Sequence, residues 1–267
     1  MPTAARTPVP VGQMLFTVVD PRRGHEKAYN RWYERDHFYA GCMIGPGWFA
    51  GRRWVAPRRL KDLRFPQESA FAEPIDAGSY LAVYWIHQAE VDEAQRWASE
   101  QVVRLYADDR GFAERDHVHT GLYRPDSRVG RGEDGIPLEL ALDHGYQGLV
   151  VVVVEPSDPE DRGALIGLLD EGPAKALIDS GVADQMSTWR AQALPSDNSV
   201  PMSLGSSGGS SQRLLQLIFL SADPAERWHD IRAYAEEIER TGAGRVTFAA
   251  PFVPTVIGTD TYTDELW

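Results

Sequence analysis

One order of elements occurs twice along this chain, and no other feature limits its fold as much. In the first half, an apolar run at residues 14–19, stopped by Asp20-Pro21, predicts a strand. Residues 22–37 predict a helix. Gly45-Pro46-Gly47 turns into a strand at 48–56, and a long connection leads to a third strand at 80–87, rich in aromatic and β-branched residues. Val91, Ala94, Ala98, Val102 and Leu105 fall near helical spacing, and 117–123 closes the set as a strand. The second half repeats the order. A valine run predicts a strand at 149–154, followed by a helix at 161–170 and strands at 186–194 and 214–220. Asp223-Pro224-Ala225-Glu226 then opens a helix, with Asp as cap and Pro at the first position, before a last strand at 245–253. Residues 11–125 and 146–258 are nearly equal in length, which predicts a tandem duplication.

The order β-α-β-β-α-β is the split βαβ, ferredoxin-like pattern, in which helices cover one face of a four-stranded sheet. The bare face needs a partner. Two copies in one chain supply it, sheet against sheet. The expected fold is therefore α+β: ferredoxin-like repeats 1 and 2 closing a pseudo-dimeric α+β barrel, joined by a polar linker at 126–145. A Gly/Ser-rich stretch at 196–211 and the long connection at 57–78 occupy matching places, as binding loops or as tolerated surface insertions.

Charge and cysteine content narrow the function. Twenty-seven basic against thirty-nine acidic residues give a net charge of −12. Such a surface repels phosphate backbones and anionic lipid, so neither a nucleic acid nor a membrane is expected as partner. A single cysteine, Cys42, excludes an intramolecular disulfide and a cysteine-rich zinc site. The first ten residues hold no apolar stretch of signal-peptide length, and the longest apolar run is strand-sized, so a cytoplasmic protein is expected. The expected assembly is a monomer with an internal pseudo-dimer, or a homodimer. The chain lacks a Walker loop, a dinucleotide-binding glycine fingerprint and a Gly-x-Ser-x-Gly elbow, which argues against phosphoryl transfer, nicotinamide chemistry and α/β-hydrolase activity.

Polar and aromatic residues are densest at 29–37, followed by Trp48 and by Arg52-Arg53-Trp54. On a helix, Tyr29, Tyr33 and His37 share a face beside Trp32 and Asp36. His37 at the helix end is either a general acid or base, oriented by Asp36, or a residue that caps the last carbonyls. His117 and His119 alternate on a strand and are expected on one face with Gly121 and Tyr123. No third ligand is evident, so no metal is expected. In the third strand, Tyr80, Ala82, Tyr84 and Ile86 share one face and Leu81, Val83, Trp85 and His87 the other. Arg52, Arg53, Arg58, Arg59, Lys61 and Arg64 form a basic cluster, read as a solvated loop in preference to an anion clamp. Cys42 reads as a small buried thiol in preference to a nucleophile.

Tyr29-Asn30-Arg31-Trp32-Tyr33, His37, Pro46-Gly47-Trp48 and Arg53-Trp54 stand in an order that resembles the dimeric α+β barrel superfamily, and within it the EthD-like members. Tyr39 stands where that family often has proline. Residues 174–181 of the second copy lack the motif, so one equipped pocket is expected, in the first half. The resemblance implies a cofactor-independent enzyme of cyclase, isomerase or dehydratase type acting on a small apolar, aromatic or polyketide-like molecule. His37 would move a proton, Tyr33 polarise an oxygen and Arg53 hold an anionic group. Tyr29, Trp32, Trp48, Tyr84, His117 and His119 would line the pocket. The same superfamily implies two alternatives: a monooxygenase, cofactor-independent or with haem on one of the histidines, and a non-catalytic binding protein.

Overall fold

The computed structural model describes residues 9–132, 135–192 and 213–267. The Gly/Ser-rich stretch at 196–211 lies outside them. The strands are β1 (Val11–Pro21), β2 (Trp48–Val55), β3 (Tyr80–His87), β4 (Arg115–Gly130), β5 (Gly148–Pro156), β6 (Gln185–Gln192), β7 (Leu214–Leu220) and β8 (Gly244–Pro254). The helices are α1 (Glu26–Trp32), α2 (Arg58–Lys61), α3 (Val91–Ala107), α4 (Arg162–Leu169), α5 (Lys175–Asp179) and α6 (Trp228–Arg240). The strands close into one barrel in the order β1-β3-β2-β8-β5-β7-β6-β4. Each repeat thus has the strand order 4-1-3-2, and the two sheets meet edge to edge as a pseudo-dimeric α+β barrel. Among the described residues no helix is long and apolar enough to cross a membrane.

Burial explains the strand compositions. β3 and β5 are apolar on both faces because one face meets helices and the other the barrel interior. Trp85 of β3 stacks on Trp189 of β6 with ring centroids 4.8 Å apart. These strands are not neighbours, so the two rings meet across the interior. Trp54 and Phe219 also approach across it, at 6.3 Å. Leu81, Val83 and Trp85 therefore point inward. Tyr80, Ala82 and Tyr84 point to the helices.

Several boundaries differ from the expectation. The linker's first residues are strand: β4 continues to Gly130 and pairs with β6 from Leu122 to Gly130. The first helix does not end at His37. After Trp32 it widens into two π-helical turns, Tyr33–His37 and Tyr39–Met43. Repeat 2 does the same, with a π turn at Asp170–Ala174 between α4 and α5. The seams between repeats are unequal. Opposite the long β4–β6 seam, β2 and β8 pair only at Trp54–Pro254 and Val55–Val253.

Candidate functional site

The unequal seam creates the site. Where β2 leaves β8, the edge at Gly51–Arg53 borders a cavity of about 350 Å³. Its walls are Glu34, Phe38 and Tyr39 from the π-helical stretch, Arg52 and Arg53 from β2, Leu142 and Asp143 from the inter-repeat connection, and Thr255 and Ile257 beyond β8. The π-helical stretch lies close on β2 because residue 51 is glycine. A Cβ there would fall 2.6 Å from Tyr84 Cδ1, 2.9 Å from Met43 Sδ and 3.0 Å from Phe38 Cζ.

Arg53 is the buried one of the two arginines in this wall, only 5% exposed. Its Nη1 donates to Asn30 Oδ1 at 2.9 Å and to Glu34 Oε1 at 3.3 Å. Its guanidinium lies over the rings of Tyr33 and Tyr80, 4.4 and 5.1 Å from their centroids. Nη2 is buried without a hydrogen-bond partner. A buried donor left unpaired costs about 1–3 kcal/mol, which an acceptor that reached this arm would recover. Glu34 is held on its other side, where Oε2 accepts from the Gly258 N–H at 2.9 Å. Arg52 turns to the mouth of the barrel, over Trp54, and donates to the carbonyls of Leu142, His144 and Tyr146.

Behind Arg53 the phenols of Tyr33 and Tyr84 share a hydrogen bond at 2.9 Å. Burial raises both phenols far above their ordinary range, so both stay protonated. The Cys42 thiol, also in contact with Tyr84, is pushed up to about 12 by burial, which makes it inert as a nucleophile. Tyr29 packs on Tyr33 and Tyr80. Trp48 meets Tyr84 edge-on, with a buried Nε1 that has no partner.

The histidines are distributed differently from the expectation. His37 is not among the cavity walls. Its ring stacks on Trp32 at 4.5 Å and meets Tyr33 edge-on at 5.0 Å. Burial, then the charges of Arg115, His117 and Arg53, lower it to about 3. Asp36, expected to orient it, pairs with Arg110 instead. Because the helix continues to Met43, His37 caps nothing.

The expected common face of His117 and His119 does not exist. A bulge in β4 sets His119 opposite Val18 and His117 opposite Val19, so the extra residue Val118 turns the two rings to opposite sides. His119 enters the barrel, stacked on Phe71 and bonded to the Tyr123 hydroxyl. His117 stays on the helix side, its Nδ1 on Thr120 Oγ1 at 2.9 Å, and burial lowers it to about 4.

The basic cluster also disperses. Arg58 pairs with Asp62 and Asp76, and Arg59 with Asp223. Arg64 and Lys61 are buried, not solvated. Arg64 caps the carbonyls of Ile75, Ala77 and Gly78, and Lys61 sits over the Trp267 ring near Asp20. In repeat 2, Arg190 is paired with Asp126 at the surface.

Of the residues singled out from sequence, Tyr29, Trp32, Tyr33, His37, Trp48, Arg53 and Tyr84 form one contiguous group, His117 lies near His37, and His119 is apart. Asn30 and Glu34 were missed. They stand one helical turn apart, which the sequence shows, but that both hold Arg53 emerges only where β2 packs on the helix.

No family model matches the chain, and no curated protein does. Solved structures share its fold. A variant of DypB from Rhodococcus jostii RHA1 in complex with heme is 13% identical, with 98% of each chain covered and a TM-score of 0.54. An anthrone oxidase-like protein is 10% identical over 94% of this chain and 95% of that one, at 0.51. A mutant chlorite dismutase from Candidatus Nitrospira defluvii in complex with cyanide is 10% identical over 97% and 96%, at 0.50. At these identities the likeness is one of fold, that of ferredoxin-like α+β barrels.

The expectation of no cofactor needs correction on this finding, because the same architecture holds haem in the DypB variant. The fit to this chain's own residues is a separate matter. His117 has a liganding histidine's arrangement, with Nδ1 fixed by a hydroxyl and Nε2 unpartnered. That Nε2 is closed off from solvent. The hollow of about 540 Å³ that His117 borders sets Asp20, Arg22, Arg23, Glu73 and Asp116 among Pro21, Ala70, Ala77, Val118 and Trp267, so charged side chains stand where a macrocycle needs a continuous apolar wall. His119 is committed to Tyr123, and His37 lies flat on Trp32. The described side chains as placed do not fit haem, and no step below passes through it.

Proposed function

We propose that this chain is an oxidative enzyme of monooxygenase type, acting on a small aromatic or polyketide-like molecule in the seam cavity. The observation that carries the reading is the buried Arg53 guanidinium, whose Nη2 has no partner while the residue lines a cavity walled by Phe38 and Tyr39. A fixed cation in a site shielded from water stabilises an enolate or phenolate far better than bulk solvent does. Such an anion is the electron-rich form that oxygen attacks. When an aryl-flanked methylene becomes a ketone, two C–H bonds break, one atom of O₂ enters the product and the other leaves as water. The likeness of fold to an anthrone oxidase-like protein supports this class by analogy. The cyclase, isomerase or dehydratase reading rested on His37, which is not among the cavity walls.

The ordered motif from Tyr29 to Trp54 further supports an EthD-like ancestry. The π turn at the same place in each repeat supports a duplication.

Oxygen uptake with anthrone as the probe tests the function. Arg53→Lys keeps the charge but loses the fork, and is expected to lower uptake by about 100-fold, as removal of one anion-stabilising donor does elsewhere. Undiminished uptake in that variant, or no uptake by the wild type either as purified or after haem addition, would overturn the proposal.

A further inference from the structure

Once Arg53 is taken as the holder of the anion, the reaction still needs a group that removes the proton. His37 was the sequence-based candidate. We infer that Glu34 is that group. It is the carboxylate that shares the cavity wall with Arg53, and its side chain is 11% exposed.

Three features converge on this residue. Glu34 Oε1 lies 3.3 Å from Arg53 Nη1, so the proton acceptor is in direct contact with the guanidinium whose other arm is to face the developing negative charge. Its Oε2 is held by the Gly258 N–H, and Asn30 takes the other share of Arg53 Nη1, so the carboxylate is held from two other chain segments, at Arg53 and at Gly258. The wide π turn that begins at Tyr33 carries Glu34 and Phe38 to the wall of one cavity, which puts a base beside an aromatic surface. In the step itself, a C–H bond next to the ligand carbonyl breaks. The proton passes to a Glu34 oxygen, and the electron pair stays on the ligand as an enolate whose oxygen faces Arg53 Nη2. Asp143, the other acid of the cavity wall, lies on the inter-repeat connection and has no contact with Arg53 among the described residues.

This inference rests on the cavity being the reaction site, but not on the reaction being oxidative, and the experiment separates the two. The probe is 2-indanone in D₂O under anaerobic conditions, with deuterium entry at its methylenes followed by proton NMR. The wild type is expected to speed exchange. Glu34→Gln, nearly isosteric, is expected to lose about 100-fold of that rate, the usual contribution of a general base, while its affinity for 2-indanone stays within a few-fold. A purely structural role would weaken affinity instead. His37→Ala is expected to keep its exchange. Should Glu34→Gln fail to fold, Glu34→Asp carries the test, since a carboxylate withdrawn by one methylene should lose at least about ten-fold. Wild-type exchange in either folded Glu34 variant, no exchange by the wild type, or exchange abolished in His37→Ala would overturn the assignment. Exchange that depends on Glu34 without oxygen uptake from anthrone would leave Glu34 in place and remove the oxidative reading. Oxygen uptake that survives Glu34→Gln would do the reverse.

Discussion

Arg53 and His37 were read from the same stretch of sequence, yet their surroundings give them opposite standing. Arg53 is buried and still charged, because Glu34, Asn30 and three tyrosine faces replace the water it lost. His37 is buried and gained a tryptophan stack and cationic neighbours but, among the described residues, no acceptor that favours its charged form, so it stays neutral down to about 3. His117 stays neutral down to about 4, whereas both would protonate near 6.5 in the unfolded chain. Between those values the unfolded chain binds more protons than the folded one, so folding stability falls as pH drops from about 6.5, less steeply once His117 protonates near 4, and the contribution of the two histidines levels off below about 3. Urea unfolding across that range should show the decline, and a His37→Gln, His117→Asn double variant should flatten it. A decline unchanged in that variant would assign it to other groups. Arg53 was legible as a residue, but its partners were not, since Asn30 and Glu34 meet it from a different element.

At the scale of elements, the π turns and the β4 bulge do what an ideal helix and strand cannot. Helical spacing correctly put Tyr29 and Tyr33 on the buried face. The extra residue accommodated in each π turn continued the helix to Met43 and brought Glu34, Phe38 and Tyr39 to one wall. Gly51 is the condition for that contact. Gly51→Ala places a methyl against Tyr84, Met43 and Phe38, and is expected to cost about 1–3 kcal/mol in urea unfolding while lowering turnover in the cavity. An alanine variant of wild-type stability would mean that the helix moves aside freely. The bulge has the same character. Alternation along residues 117–123 is visible in the sequence, but one extra residue at Val118 reverses every assignment below it.

For the whole molecule, the barrel is tied together across its interior by rings from different repeats. Trp85 belongs to repeat 1 and Trp189 to repeat 2, and both are fully buried. Trp189→Ala is expected to cost about 3–5 kcal/mol and to lower the midpoint of a single unfolding transition. Two separate transitions would mean that the repeats stand independently. The seams divide the labour of closure. β4 and β6 pair over a long stretch, while β2 and β8 pair briefly and leave room for the connection at 138–146 and for Ile257. The cavity lined by Arg53, whose Nη2 is buried without a hydrogen-bond partner, lies at that short seam.

Element order, the doubled pattern and the aromatic-rich helix were determined by the sequence alone, because hydrophobic periodicity and turn chemistry are local properties of the chain. Which strand faces look inward, how unequally the two seams close, and that a glutamate one turn from Asn30 meets Arg53 were decided by tertiary structure. Those outcomes depend on bulges, π turns and pairing between residues some two hundred positions apart, such as Trp54 with Pro254, and no local pattern encodes them.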